Sequence, residues 1–455
     1  MQDNSPNPIE KHFKSIHYPV SQFIRAQTTA SAMLLLATLV ALWWANSGYA
    51  STYQHLVHKP IGIILGDTNL QASLKHVIND GLMVIFFFML GLEIKRELIA
   101  GDLADSQSRR MLVLCALGGM AFPALIYAAL NWSQPSVVGW GIPMATDTAF
   151  ALGVLMLVRK YIPTSLLAFI VGLAIVDDIG ALLVIAVFYT DQISLLHFFS
   201  AVGLVLLLTM ANLAGIRKPM FYILVGLFVW WFMLKSGVHA TLAGVLIALT
   251  VPARPKDAPE KIINKAKDVI EEIRQDKPEI DVLSNKRHHQ KVTALGEVAE
   301  RASTPLRRWE DALELPVALI IVPLFALINA GIPINIAAIE ESVLAPTGLG
   351  IILGLVLGKF IGISGASYLA TRLNIGQLPV GMNFQHIIGV SFIAGIGFTM
   401  STFIATLGFE NQPENLLIAK MSIMLGSVVA AFLGALFLFA NGKRSNKAKP
   451  ASATE

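Results

Sequence analysis

Twelve apolar segments recur along this 455-residue chain, near residues 28–47, 77–99, 110–131, 137–158, 165–190, 194–213, 219–235, 238–251, 313–334, 345–371, 386–408 and 415–441. Several reach or exceed the ~20 residues that cross a hydrocarbon layer about 30 Å thick. No soluble core needs so many separate runs. Only 14% of the residues are charged, against roughly 25% in an ordinary soluble domain. The fold class that follows is an all-α polytopic membrane protein of twelve transmembrane helices, with the lipid bilayer as its solvent.

Basic residues orient the spans. With the N-terminus placed in the cytoplasm and the segments threaded alternately, the inner pieces hold Lys11, Lys14, Arg25, Lys95, Arg96, Arg109, Arg110, Arg159, Lys160, Arg217, Lys218, Arg372 and the basic tail from Lys443. Outer pieces keep almost only Lys59, Lys75 and Lys235. That bias predicts cytoplasmic termini at both ends. The domain plan is then a tail at 1–27, spans one to eight over 28–251 with an outer hairpin at about 50–72, a charged cytoplasmic loop at 252–312, spans nine to twelve over 313–441, and a tail at 442–455. The first 25 residues are polar and no small-residue cleavage site follows the first run, so that run reads as a retained anchor.

The loop at 252–312 carries 13 Lys/Arg and 12 Asp/Glu. Within it Ile262, Ile263, Ala266, Val269, Ile270 and Ile273 recur at helical spacing, which predicts an amphipathic helix on a solvated linker. The net charge of +4 is scattered between apolar runs and points to no nucleic acid. Cys115, the one cysteine, excludes an intrachain disulfide and reads as a small packing residue.

Against this apolar background the polar exceptions carry the information. Asp177 and Asp178 are the only charged residues between Ser165 and Thr190, and each ionised group at mid-bilayer costs ~2.5 to 3.5 kcal/mol on insertion scales. Neighbours on a helix diverge by about 100°. One carboxylate therefore addresses an ion site while the other meets a partner nearby.

Helix continuity fails twice. In GWGIPMATDTAF, residues 139–150, Gly139, Gly141 and Pro143 weaken the fourth span just before Thr146 and Asp147. In GVSFIAGIGFTMSTF, residues 389–403, Gly395 and Gly397 precede Thr399 and Ser401 in the eleventh. These spans are the second members of the triplets 3-4-5 and 10-11-12, the spacing of inverted-topology repeats with two discontinuous helices crossing at the midplane. Broken helices expose positive and negative ends, each like about half a charge. Asp147 is placed to offset the positive ends. Lys359, the only Lys or Arg deep in the tenth span, is the candidate for the negative ones.

Other polar groups stand at span ends. Asp80 and Glu93 lie 13 residues apart in the second span, and Glu93, Lys95, Arg96 and Glu97 form a charge cluster with gating or pH sensing as one reading and a plain interfacial cluster as the other. His239 sits near the outer end of the eighth span, and Lys420 in the twelfth has no evident partner. There is no GxxxxGK[ST], HExxH, GxSxG or paired CxxC, so neither enzyme chemistry nor a bound cofactor is expected, and transport has to draw on ion gradients.

The segments PMATDTAFALGVL, LAIVDDIGALLVIAVFYT, LKSGVHATLAG, IIVPLFALINAG, LGKFIGI and GIGFTMSTFIA together resemble the NhaA-type sodium/proton antiporters. Inverted repeats with crossed broken helices are a known mark of that family, so the pattern is recognised here and not discovered. The resemblance implies a bacterial inner-membrane protein that exchanges Na⁺ or Li⁺ for H⁺, electrogenically and under pH control. It implies that Asp178 is the main ion-binding carboxylate and that Asp177 takes part in proton exchange and pairs with Lys359. Thr146 and Asp147 correspond to the charge-compensating pair, Glu93, Arg96 and Glu97 to a pH-sensing cluster, Asp80 to a polar residue of the same span, and His239 to a pH-linked histidine. A homodimer paired through the outer hairpin is what the resemblance allows. The long 252–312 loop departs from the family pattern and unsettles the correspondence near Glu310. An intramembrane aspartyl protease, using Asp147 and Asp178, and a passive cation channel are the alternatives; the first lacks its GxGD signature, the second an evident water path or carbonyl ring.

Overall fold

The computed structural model describes residues 27–65, 68–100, 106–190, 193–255, 259–274, 286–334, 336–379 and 381–448. Nearly all of the expected N-terminal tail and the last residues of the C-terminal one, 449–455, lie outside them. Eight helices among the described residues are long and apolar enough to cross a membrane, or up to eleven when each of three bent helix pairs counts as one span. The chain is a mainly helical, multi-pass membrane protein.

Two of the bent pairs fall where glycine and proline interrupt the sequence. Pro135–Met144 with Thr148–Leu157, and Phe384–Ile393 with Phe398–Gly408, are each bent by 48°. A third bend was not expected. Thr29–Ala45 turns by 118° into Ala50–Val57, so the connection after the first segment begins with a short helix before the hairpin. Its strands, Pro60–Leu65 and Thr68–Ser73, pair antiparallel with Pro60 opposite Ser73.

Two expected boundaries move. The eighth segment, expected over 238–251, is helical only over Thr241–Thr250, about 15 Å at 1.5 Å per residue, too short to cross a bilayer alone. The cause lies just upstream: Gly237, at φ 83°, ends the Pro219–Ser236 helix in the left-handed conformation that glycine adopts without strain. The turn that follows occupies Val238 to Ala240 and takes His239 out of the helix. The ninth segment, expected from 313, belongs to a longer helical stretch, Pro305 to Asn329, whose first residues are polar ones assigned to the loop. The loop itself contains the amphipathic helix Pro259–Arg274 and a second helix, Lys286–Ala302, which packs on it.

The chain divides into two compact units. One gathers residues 87–96 and 192–314. Its core joins Leu92, Ala201, Leu208, Tyr222, Val229 and Met233. The other gathers residues 1–86, 97–191 and 315–455 and contains both helix breaks. Lipid is as apolar as leucine, so packing inside such a unit depends on close van der Waals fit and small residues. Ser106–Asn131 and Lys359–Arg372 meet in this way: a Cβ on Gly118 would collide with the Gly362 carbonyl. Immediately before Lys359, Gly354–Gly358 forms a π-helical turn, a one-residue widening found often at functional sites. Gly358 there lies against the backbone of Pro123.

Candidate functional site

Where the two interrupted spans cross, backbone meets backbone. The Asp147 N–H donates to the Ile396 carbonyl at 2.6 Å, and a Cβ on Gly397 would sit 3.1 Å from the Ala145 carbonyl oxygen. The same Cβ would collide with the Ser401 hydroxyl oxygen, so a side chain at 397 would displace the group that caps the Ile142 carbonyl.

Each half-helix end at the crossing finds a side-chain partner. Asp147 caps its own helix through Oδ1, which accepts from the Phe150 N–H at 3.1 Å. Its Oδ2 accepts from the N–H of Thr399, at 2.9 Å, and from the Thr399 hydroxyl, at 2.5 Å. Thr399 lies in the first turn of Phe398–Gly408, so one buried carboxylate serves two positive helix ends. The negative ends take hydroxyls in a reciprocal arrangement. Thr146 Oγ1 reaches the Ala394 carbonyl at 2.9 Å, and Ser401 Oγ donates to the Ile142 carbonyl at 2.7 Å.

Lys359 does not compensate a carbonyl end directly, as the helix breaks alone suggested it would; it meets Asp177, the partner that the family resemblance implies. Its Nζ donates to Asp177 Oδ2 at 2.5 Å and to Thr146 Oγ1 at 3.0 Å. A buried ammonium gains far more from a carboxylate than from a peptide dipole, which is the physical reason for the difference. Both partners of this ion pair are 0% exposed. Thr146 links the pair to the helix break, since its single proton has two acceptors, Asp177 Oδ2 at 2.8 Å and the Ala394 carbonyl. Asp177 Oδ1 is buried with no hydrogen-bond partner among the described residues. Asp178, one residue further along the Thr164–Phe188 helix, is also buried, at 4% exposure.

The structure thus brings together Asp177, Thr146 and Lys359, and beside Thr146 the Asp147 capping network. Sequence reasoning missed Asp147 meeting Thr399 across 252 positions, although both had been singled out; the paired breaks were the one signal that could have joined them. The carbonyls of Ala394, Ile142 and Ile396 carry no sequence signal at all.

The remaining candidates stand elsewhere. In the unit of residues 87–96 and 192–314, Arg96 Nε donates to Glu310 Oε1 at 2.8 Å, with Glu93 Oε1 3.8 Å from the same guanidinium and Arg307 3.8 Å from Glu310. Glu310, the position the sequence left unsettled, is a hydrogen-bonded ion-pair partner of Arg96. Lys95 donates to the Leu249 and Val251 carbonyls and so caps the Thr241–Thr250 helix. His239 is half-buried in the turn before that helix. In the larger unit, Asp80 pairs with His76 at 2.9 Å within a second π-helical turn, Val77–Leu82, and Glu97 is half-buried one residue beyond Arg96.

A buried carboxylate–lysine pair beside two crossed helix breaks defines a class: membrane proteins that handle a small ion inside the bilayer. The chain belongs to the Na⁺/H⁺ antiporter 1 family, whose model matches residues 21–438. It is 62% identical to Na(+)/H(+) antiporter NhaA 1 of Shewanella denitrificans over 438 residues, 96% of this chain and 97% of the relative. It is 59% identical to NhaA 2 of Psychromonas ingrahamii, covering 96% and 92%. With NhaA of Sulfurimonas denitrificans the identity is 43%, covering 96% and 99%.

Proposed function

We propose that this protein exports Na⁺, or Li⁺, from the bacterial cytoplasm in exchange for protons, across the inner membrane, through twelve spans arranged as inverted repeats with both termini inside. The observation that carries the reading is the Asp177–Lys359 pair, fully buried and tied by Thr146 to the helix crossing.

The chemistry is competition for shared oxygens. Burial penalises a charged carboxylate, while a neighbouring ammonium favours it; opposed effects of this size make proton occupancy sensitive to small changes in surroundings. With an alkaline cytoplasm Asp178 and Asp177 release protons, and their oxygens, with hydroxyls and water, suit a hard cation such as Na⁺. Asp178 is the main ligand, and Asp177 exchanges its proton and its hold on Lys359. Asp147 and Thr146 compensate the helix ends and keep the crossing fixed. The loaded site then opens to the other side, where protons displace the ion. More protons than sodium ions per cycle moves net charge, so the membrane potential drives export. Glu93, Arg96 and Glu97, with His239 and Asp80, adjust this exchange to pH.

Asp147 is a poor protease aspartate, because three hydrogen bonds from helix N-terminal donors already occupy its carboxylate. The test is Asp178→Asn in sealed proteoliposomes. Na⁺-driven proton flux is expected to fall to the level of empty vesicles, and parental flux removes the assignment.

A further inference from the structure

Lys420 is half-buried on an apolar helix, and the exchange chemistry does not use it. It lies two turns into Pro413–Ala448, and its Nζ donates to the carbonyl of Asn329 at 2.9 Å. That carbonyl ends the long Pro305–Asn329 helix inside the protein. Neighbouring carbonyls of the same last turn, Leu327 and Ile328, accept from the Tyr53 hydroxyl. Asn329, 1% exposed, sends its amide to Asn79 Oδ1 at 2.9 Å and to the Phe325 carbonyl. A negative helix end buried in low dielectric needs such partners, and an ammonium satisfies it best.

The next residue carries the connection further. Ala330 joins Ala41 and Phe398 in one small buried cluster, on which Phe150, Leu327 and Met424 pack. Met424 stands one turn beyond Lys420 on the same helix. Phe150 and Phe398 meet edge to face with centroids 5.0 Å apart. One ring belongs to a residue that supplies Asp147 and the other to the neighbour of one: Phe150 gives its own N–H, and Phe398 directly precedes Thr399, which gives an N–H and a hydroxyl.

We propose that Lys420 is a positioning residue of the exchange site: by holding Asn329 it fixes the seat of the Phe150–Phe398 pair, and through those rings the three donors to Asp147. The proposal rests on the reading of Asp147 given above. Contacts of this kind pass displacement because close-packed side chains do not deform freely.

The test is a Na⁺ titration of exchange in proteoliposomes at one alkaline pH. Lys420→Met is expected to raise the apparent KM for Na⁺ about fivefold, a coupling of ordinary size between connected residues. Lys420→Arg, which keeps the charge and can reach the carbonyl, is expected to stay within about twofold of the parent. The double variant K420M/F398L is expected to match the larger single effect, since both act on one route. Parental KM in K420M, or multiplying effects in the double variant, overturns the proposal, as does a K420M protein that is merely less stable with its KM unchanged. If K420M does not fold, Met424→Ala reads the same seat: a raised KM supports the link and an unchanged one overturns it. Asp147→Asn is measured beside them. Parental exchange in D147N removes the reading of Asp147, and the proposal with it; an impaired D147N beside a parental K420M removes the link alone.

Discussion

Two lysines lie inside apolar helices of the same unit, and they are held in opposite ways. Lys359 meets a carboxylate and a hydroxyl, both buried, whereas Lys420 meets the carbonyl that ends a helix. A carboxylate has two charge states, so the interaction around Lys359 changes whenever a proton or a cation arrives. A peptide carbonyl has one. The first environment therefore suits exchange and the second suits anchoring, and the partner makes that difference.

The sharpest way to break this comparison is to remove one member of the ion pair. Asp177→Asn is expected to cost about 3–5 kcal/mol, because it strands a buried ammonium. Thermal unfolding of the purified protein in detergent measures it. The double variant D177N/K359M is expected to recover most of that loss while remaining inactive in exchange; a double variant no more stable than D177N would show that the pair is not balanced as described. Asp147→Asn comes next, at about 1–3 kcal/mol, since three donors lose a charged acceptor. It is expected to slow Na⁺/H⁺ exchange as well, which dye-quenching in vesicles reads directly.

Lys420→Met is expected to cost less than D177N, about 1–2 kcal/mol, because a helix end is only a partial charge. A loss as large as that of D177N would erase the distinction between the two lysines. The smallest effect belongs to Glu310→Gln. Arg96 and Glu310 are partly hydrated, at 22% and 14% exposure, so stability is expected to change by no more than ~1 kcal/mol. A displaced pH profile of exchange in that variant would place Glu310 in pH control, and a parental profile would leave it a structural pair.

Much of the membrane architecture was legible because lipid imposes a harsh rule: an apolar run of sufficient length has few other uses, and an exception must be satisfied locally. Gly141 and Pro143, and Gly395 and Gly397, marked breaks that the structure places as two bent pairs. What escaped was governed by backbone atoms. The helix breaks alone pointed Lys359 at the negative helix ends, and only the family resemblance joined it to Asp177; Thr146 and Ser401 take those carbonyls and leave the ammonium to the carboxylate. Hydropathy also overran the eighth segment, since Val238 is as apolar as a helical residue while the turn after Gly237 holds it outside the helix. Glu310 paired with Arg96 across 214 positions, a distance over which charge patterning says nothing.

The π-helical turn Gly354–Gly358 sets the compass bearing of everything after it on that helix. One surplus residue rotates the following side chains by about 100°. A relative lacking that residue would keep the same hydropathy trace and nearly the same sequence, yet aim its lysine a quarter-turn away from Asp177. Alignment of such chains should therefore be judged by phase around the helix axis as well as by matched letters.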